Sequence, residues 1–398
     1  MLSKAIITRQ TRMKKTTQLL LMASMSLPLT ANTEAITQFK STVGARYFQE
    51  ENINNSDDSS LFLKIEAELE ADYNQIEFRG KLFSSLDQHD DKRNYLDVRQ
   101  SALSYRVNEV TLSGGVNTFF WGVSETINIL NTLNQIDFRE SIDGKAKMGQ
   151  TFVALDYEQN SNTTQILYLP DFRAIDYPDR PSPSIKINDA AFFESGADNG
   201  DFAIRSNWAL DETEFSIAYF NGTRRDPLLL PTANFTSLTP YYIKTEYFAF
   251  DGIVFIHDVT LKAEVKVGEE LNERYYAHNI GVEYSYYPDS DIIQNIVWVA
   301  EHLLDDRKEQ AETIGQNDIF FGAKVDAGEL NEFNIRAILG IDLDNQSKYV
   351  DLSLAYRIND HLNINFKSNQ FVDISGEDSR LALIKDEDFT EVNLHYAF

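Results

Sequence analysis

The stretch LFLKIEAELEADYNQIEFRGKLF, Leu61 to Phe83, decides the fold. Leu61, Leu63, Ile65, Ala67, Leu69, Ala71 and Tyr73 occupy one register, and Lys64, Glu66, Glu68, Glu70 and Asp72 the other. A period of two describes a strand whose faces meet different surroundings. After Asn74 and Gln75 the parity switches: Ile76, Phe78, Gly80 and Leu82 become the apolar set, and Glu77, Arg79 and Lys81 the charged one. A two-residue turn at Asn74-Gln75 produces that switch, setting Tyr73 opposite Ile76, Ala71 opposite Phe78, Glu70 opposite Arg79 and Glu68 opposite Lys81. Facing opposite charges contribute about 0.2–1 kcal/mol each. Asp72 against Glu77 is the one clash.

The chain has 398 residues, 42% of them apolar, and no apolar run of about 18 residues, which excludes a helical membrane protein. Residues 1–35 read as an export signal: Lys14 and Lys15 lead a short apolar stretch from Leu19 to Leu29, followed by small residues with cleavage expected after Ala31 or Ala35. Met13 is an alternative start. Residues 36–398 then form a single domain. Cysteine is absent, so neither a disulfide framework nor a thiolate metal site is available. Net charge is −26; removing the leader, which carries five cations and one acid, takes it to −30. Phosphate-mediated nucleic-acid binding is excluded at that charge, and an acidic lumen or surface favours cations.

Alternation of the Leu61–Phe83 kind recurs to the end of the chain and marks about 18 strands, or 16 if Phe250 to Asp258 or Thr163 to Leu169 is misread. The connections alternate in length. The odd ones are QEENINNSDDSS, DQHDDKR, Trp121 to Ala146, Pro170 to Gly200, GTRRDPLLLPTANFTSLTP, GEELNER, LLDDRKEQAETIGQ, DLDNQSK and DISGEDSRLALIKDED. The even ones are NQ, VNE, QNSN, LDE, a short piece near Asp251, PDSD, AGELN and IND. The expectation is an all-β, transmembrane, antiparallel up-and-down barrel with long outer loops and short periplasmic turns. Lys64, Glu66, Glu68, Glu70, Arg79 and Lys81 then face the lumen, because charge toward lipid is costly at the midplane. Val392, Leu394, Tyr396 and Phe398 resemble the terminal signal read by the barrel-assembly machinery. Tyrosines near strand ends, among them Tyr284, Tyr286 and Tyr287, suit a headgroup level.

From about Asp97 onward the chain resembles a poorly characterised family of proteobacterial outer-membrane barrels. The likeness rests on FFWGVSETINILNTLNQIDFRE, where Trp121, Gly122, Asn134 and Asp137 match a Trp-Gly…Asn-x-x-Asp pattern and Gln135 stands where the family commonly has proline. YFNGTRRDP and VAEHLLDDR also fit it. The plan is similar to that of porins, in which a loop after the fifth strand folds inward. That resemblance implies a constriction from Asp137, Arg139 and Glu140 around a short helix at ETINILNTLNQI. The next long loop offers Asp171, Arg173, Asp176, Asp179 and Arg180. Arg139 and Arg173 are expected opposite Glu66 and Glu68.

The histidines (His89, His257, His278, His302, His361, His395) are scattered singly, and neither Gly-x-Ser-x-Gly nor His-Glu-x-x-His occurs. No catalytic, metal or cofactor role is expected. The reading is a porin-like channel passing small hydrophilic solutes with a preference for cations, in contact with outer-membrane lipid and lipopolysaccharide and compatible with a homo-oligomer. Two alternatives are a loop-plugged barrel carrying a specific, hydrophobic ligand, and a surface enzyme or adhesion barrel.

Overall fold

The computed structural model describes residues 34–50, 58–141, 144–179, 186–194, 197, 199–234, 236–328, 332–378 and 380–398. The export leader up to residue 33 and Arg180 lie outside them. The first strands are β1 (Glu34–Phe48), β2 (Ser59–Tyr73), β3 (Ile76–Asp87), β4 (Tyr95–Val107), β5 (Val110–Asn117), β6 (Gln150–Gln159) and β7 (Asn162–Leu169). Two short pieces, β8 (Lys186–Ile187) and β9 (Phe192–Phe193), precede β10 (Asp201–Leu210) and β11 (Thr213–Thr223). Two more, β12 (Leu228–Pro231) and β13 (Ser237–Tyr242), precede β14 (Lys244–Ile256), β15 (Val259–Glu270), β16 (Glu273–Tyr286) and β17 (Ile293–Asp305). The last are β18 (Asn317–Ala327), β19 (Phe333–Asp342), β20 (Lys348–Arg357), β21 (Leu362–Val372) and β22 (Phe389–Ala397).

Eighteen of these form one closed antiparallel sheet in chain order, sealed where β1 pairs with both β2 and β22. The β2–β3 register is the one the alternation dictates: Tyr73 faces Ile76, Glu70 faces Arg79 and Glu68 faces Lys81. Asn74 takes a φ of 55°, the left-handed value a two-residue hairpin turn demands. Both uncertain strands are present, as β7 and β14.

The connections differ from expectation at two places. GEELNER is a two-residue turn at Leu271-Asn272, both with positive φ (52° and 65°), although it lies at the loop end of the barrel. The reason is that Glu269 and Glu270 continue the ladder against Arg274 and Glu273, so the polar run extends the strands and adds no loop. Asp251 lies inside β14, facing inward, and the turn comes later, at His257-Asp258.

Apolar side chains of the strands point out; Leu61, for example, is 60% exposed. Rings crowd the turn end, where Phe333 stacks on Tyr356, Trp208 on Phe215 and Phe39 on Phe398. The buried hydrophobic core is inside the barrel. Inward-facing Ala154, Ala203, Ala218, Ala249 and Ala277 share one cluster with Leu130, Leu133 and Trp121 of the 118–149 loop. Small side chains on the wall leave room for the large ones on the loop, the complementarity that close packing requires.

Candidate functional site: the lumen and its inward loop

Residues 118–149 leave the wall after the fifth barrel strand and run through the lumen. Asn134 ties the neck: its Nδ2 donates to the carbonyls of Asn117 (3.1 Å) and Met148 (2.8 Å), and its Oδ1 accepts from Phe119 N (2.7 Å). Gly122 has a φ of 104°, and a side chain there would collide with Asn128; only glycine adopts that backbone without strain. Trp121 is buried, with the Arg205 guanidinium 5.3 Å from its ring. Each residue of the Trp-Gly…Asn-x-x-Asp pattern thus shapes the loop.

The expected helix over ETINILNTLNQI is absent. Two wall carboxylates take the amides that a helix would use. Glu264 of β15 accepts from Val123 N (2.6 Å), Ser124 N (2.7 Å) and Ile129 N (2.9 Å), and Glu301 of β17 from Glu125 N (2.7 Å) and Thr126 N (3.0 Å). Hydrogen bonds to a charged group contribute about 1.5–3 kcal/mol each, enough to hold an irregular segment. Further along, Glu125 reaches Lys324 (3.0 Å) on β18 and Arg336 (3.5 Å) on β19. Those strands are fourteenth and fifteenth in the ring, directly opposite the loop's origin between the fifth and sixth. This arm spans the lumen.

The other arm is held on the near wall. Asp137 is fully buried and accepts from Tyr95 Oη (2.9 Å), Arg99 (2.6 Å) and Arg139 (3.1 Å). Burial opposes its ionisation, but Arg139 and Arg99 outweigh burial and hold the carboxyl below its ordinary value. Glu140 bonds Arg99 (3.0 Å), yet burial dominates there and pushes its carboxyl up.

A cavity of about 1030 Å³ lies beside the loop. Seven cationic and seven acidic side chains line it, Glu66, Lys81, Arg99, Glu125 and Arg336 among them. Apolar side chains stand among them on the lining, Ile175, Leu228, Leu229, Leu238 and Phe138. Phe120, 67% exposed, also lines it.

The sequence candidates divide into groups. Glu66 and Glu68 pair with Lys40 and Lys81. Lys64 donates to the Glu140 carbonyl (3.4 Å), while Arg79 bonds Glu77 on its own strand, so Glu70 lacks that partner despite the correct register. Glu140 lines the cavity; Asp137 and Arg139 lie between loop and wall. The expected juxtaposition of Arg139 and Arg173 with Glu66 and Glu68 is not formed. Arg139 pairs with Asp137 and Asp176 and covers the Tyr95 ring at 3.9 Å, and Arg173 bonds Asp97 (2.7 Å) and the Gly149 carbonyl. Nearer carboxylates claim both. Asp179 bonds Lys92 (3.2 Å), and Gln150 donates to the Asp171 carbonyl, which holds residues 171–179 at the loop end of the barrel, with Ile175 and Tyr177 on the cavity lining. At the C-terminus, Val392, Leu394, Tyr396 and Phe398 face outward, and Phe398 exchanges both backbone bonds with Phe39.

Sequence reasoning missed Glu264 and Glu301, because alternation reveals which way a side chain faces and says nothing of the loop it meets. It also missed the pairing of His278 with His302 (3.1 Å) across β16 and β17, on the outward register. Among the described residues no group of three metal-ligating side chains occurs.

No protein-family model matches the chain, and no curated protein matches its sequence. Solved structures do. A chain from work described as "Asymmetric conductivity of engineered proteins" has 12% identity over 92% of this chain and all of that one, with a TM-score of 0.50. A substituted variant of Rh. blastica porin gives 10% identity, the same coverage and 0.49, and a triple variant of Rhodopseudomonas blastica porin 11% and 0.46. At such identity the likeness bears on the fold alone, and the fold it bears on is the closed antiparallel barrel described above.

Proposed function

We propose that this barrel is a passive, porin-like channel of the bacterial outer membrane for small hydrophilic solutes. The carrying observation is a closed barrel whose lumen keeps a charged cavity beside a loop anchored on opposite walls. An apolar outer surface with rings at the turn end suits a bilayer, and the expected export leader suits passage through the periplasm. The C-terminal strand would engage the assembly machinery, and the loop end would meet lipopolysaccharide. The conductivity named for the fold neighbour is taken over here as part of the proposal. Cation preference rests on the net charge of −26; since the cavity lining is balanced, the preference belongs to the mouths and is modest. No catalytic role or cofactor is proposed.

Planar-bilayer recording tests this: the folded protein conducts, with a mild cation preference that fades as salt rises. A folded barrel without conductance, or with clear anion preference, overturns the reading. A second reading, transport of a partly apolar ligand, is favoured by Ile175, Leu228, Leu229 and Leu238 on the cavity lining.

A further inference from the structure

Loops from opposite sides of the ring meet over the lumen. One joins the ninth and tenth barrel strands, β11 and β14, and is stiffened by the β12–β13 pairing; the other, after Val372, joins the seventeenth and eighteenth, β21 and β22, nearly half a turn away. Arg380 of the second loop donates through Nη2 to Asp226 of the first (3.0 Å), and through Nη1 to the carbonyl of Ala311 in the 306–316 loop that follows β17. Behind that contact everything is fixed to the wall. Arg224 holds Asp226 (3.3 Å), the Ala311 carbonyl (2.9 Å) and Glu270 of β15 (3.1 Å), and Arg307 holds Glu270 (2.9 Å) and Asp305 (2.6 Å). The loop that carries Arg380 is anchored at its base, where Phe371 N donates to the Asp388 carboxylate (2.6 Å) and Gln49 N to the Asp388 carbonyl (3.1 Å). Leu383 and Ile384 of this loop line the cavity, as do Asp226, Glu312 and Ile314 from the other side.

We propose that residues 380–388 form a lid over the loop-end mouth, latched across the barrel by Arg380 on Asp226 and the Ala311 carbonyl, and that the channel opens when this latch releases. Arginine's planar fork reaches a carboxylate and a carbonyl at once, which a lysine's point charge does not reproduce. The Arg380 and Asp226 side chains keep 21% and 16% of their surface exposed, so water and ions reach the pair. An ion pair in contact with solvent is weak and is screened by salt, as suits a tie that has to break each time a lid opens. Release leaves no bare carboxylate behind, because Asp226 and the Ala311 carbonyl both keep Arg224. The lid therefore moves while the wall side stays assembled. The inference rests on the channel reading and adds a gate to it.

The test records single channels of the whole protein in planar bilayers, in about 0.1 M and about 1 M potassium chloride. The parent opens only briefly at low salt, and its open fraction rises about threefold at high salt; R380Q stays open at both. The second variant is D226C/R380C, whose thiols are the only ones in the chain. A short bifunctional methanethiosulfonate joins them and holds the current low, and dithiothreitol restores it. If R380Q gates like the parent, if the two thiols cannot be joined, or if the joined variant conducts like the reduced one, the lid is overturned while the channel stands. If neither the parent nor R380Q conducts, the channel reading fails, and proteolysis of the detergent-folded barrel decides the lid. Faster cleavage after Val372 and before Phe389 in R380Q then supports it, and equal rates overturn it.

Discussion

Two loops of similar length follow one another in the chain, 118–149 and 170–200, and their described residues are held in different ways. The first enters the lumen because Glu264 and Glu301 on the far wall accept five of its backbone amides, and because inward alanines make room for Leu130 and Leu133. The second carries more charge, and the ties of its described residues run through side chains to the loop end of β4, to the first loop and to the turn before β4: Arg173 to Asp97, Asp176 to Arg139 and Asp179 to Lys92, with Ile175 and Tyr177 on the cavity lining. A loop's charge therefore does not decide whether it enters. What marks the first loop is that carboxylates on strands far from its origin accept its backbone amides, since an unpaired buried amide is costly.

The largest effect expected from that difference is on conductance. Replacing both Glu264→Ala and Glu301→Ala frees the far arm, and single-channel conductance should rise several-fold with added noise; an unchanged, quiet current would show that the carboxylates do not hold the loop. Replacing both Arg139→Ala and Arg173→Ala should change conductance and selectivity far less, by under about 1.5-fold at low salt, because neither lines the cavity. A strong rise in cation selectivity in that variant would restore the reading the sequence suggests, with both arginines at the constriction.

Acid should separate the regions next. Burial opposes ionisation of Glu312, in the 306–316 loop, but Lys266, Arg307 and Arg224 outweigh it and hold the carboxyl down to about 2. A carboxyl held below its ordinary 4.5 stabilises the folded state above that value and loses this as pH falls toward about 2. Asp137 has the same sign, and Glu140 the opposite, its ionisation opposing the folded loop as pH rises. The loop end should therefore stay closed on acidification to about pH 4 and loosen only below it; loosening between pH 6 and 5, read by proteolysis of the outer loops, would contradict the assignment. The smallest effect belongs to Gln135, fully buried with both amide atoms unpartnered. Gln135→Leu removes an unsatisfied polar group, and should raise urea resistance of the folded barrel by about 1–2 kcal/mol.

Strand number, facing and the Leu61–Phe83 register were legible in the sequence because a barrel wall obeys a local rule, alternation with a parity switch at each turn. The site was legible only in part. Asp137 and Glu140 were found because their loop follows the fifth strand. Their partners Tyr95 and Arg99, and the distant Glu264 and Glu301 that hold the loop's other arm, come from strands whose approach is set by barrel closure. The polar run GEELNER looked like a loop because charge within a ladder at the barrel's end is indistinguishable from charge in a turn.

The most direct test of the central claim exploits the absence of cysteine. Phe120→Cys places a thiol on the cavity beside the inward loop, and Asp176→Cys places one on the rim, where the native side chain is 65% exposed. Each is modified with a bulky methanethiosulfonate while current is recorded. A large, irreversible fall is expected at position 120 and little change at position 176. A fall at 176 with none at 120 would place the solute path along the rim loop and contradict it.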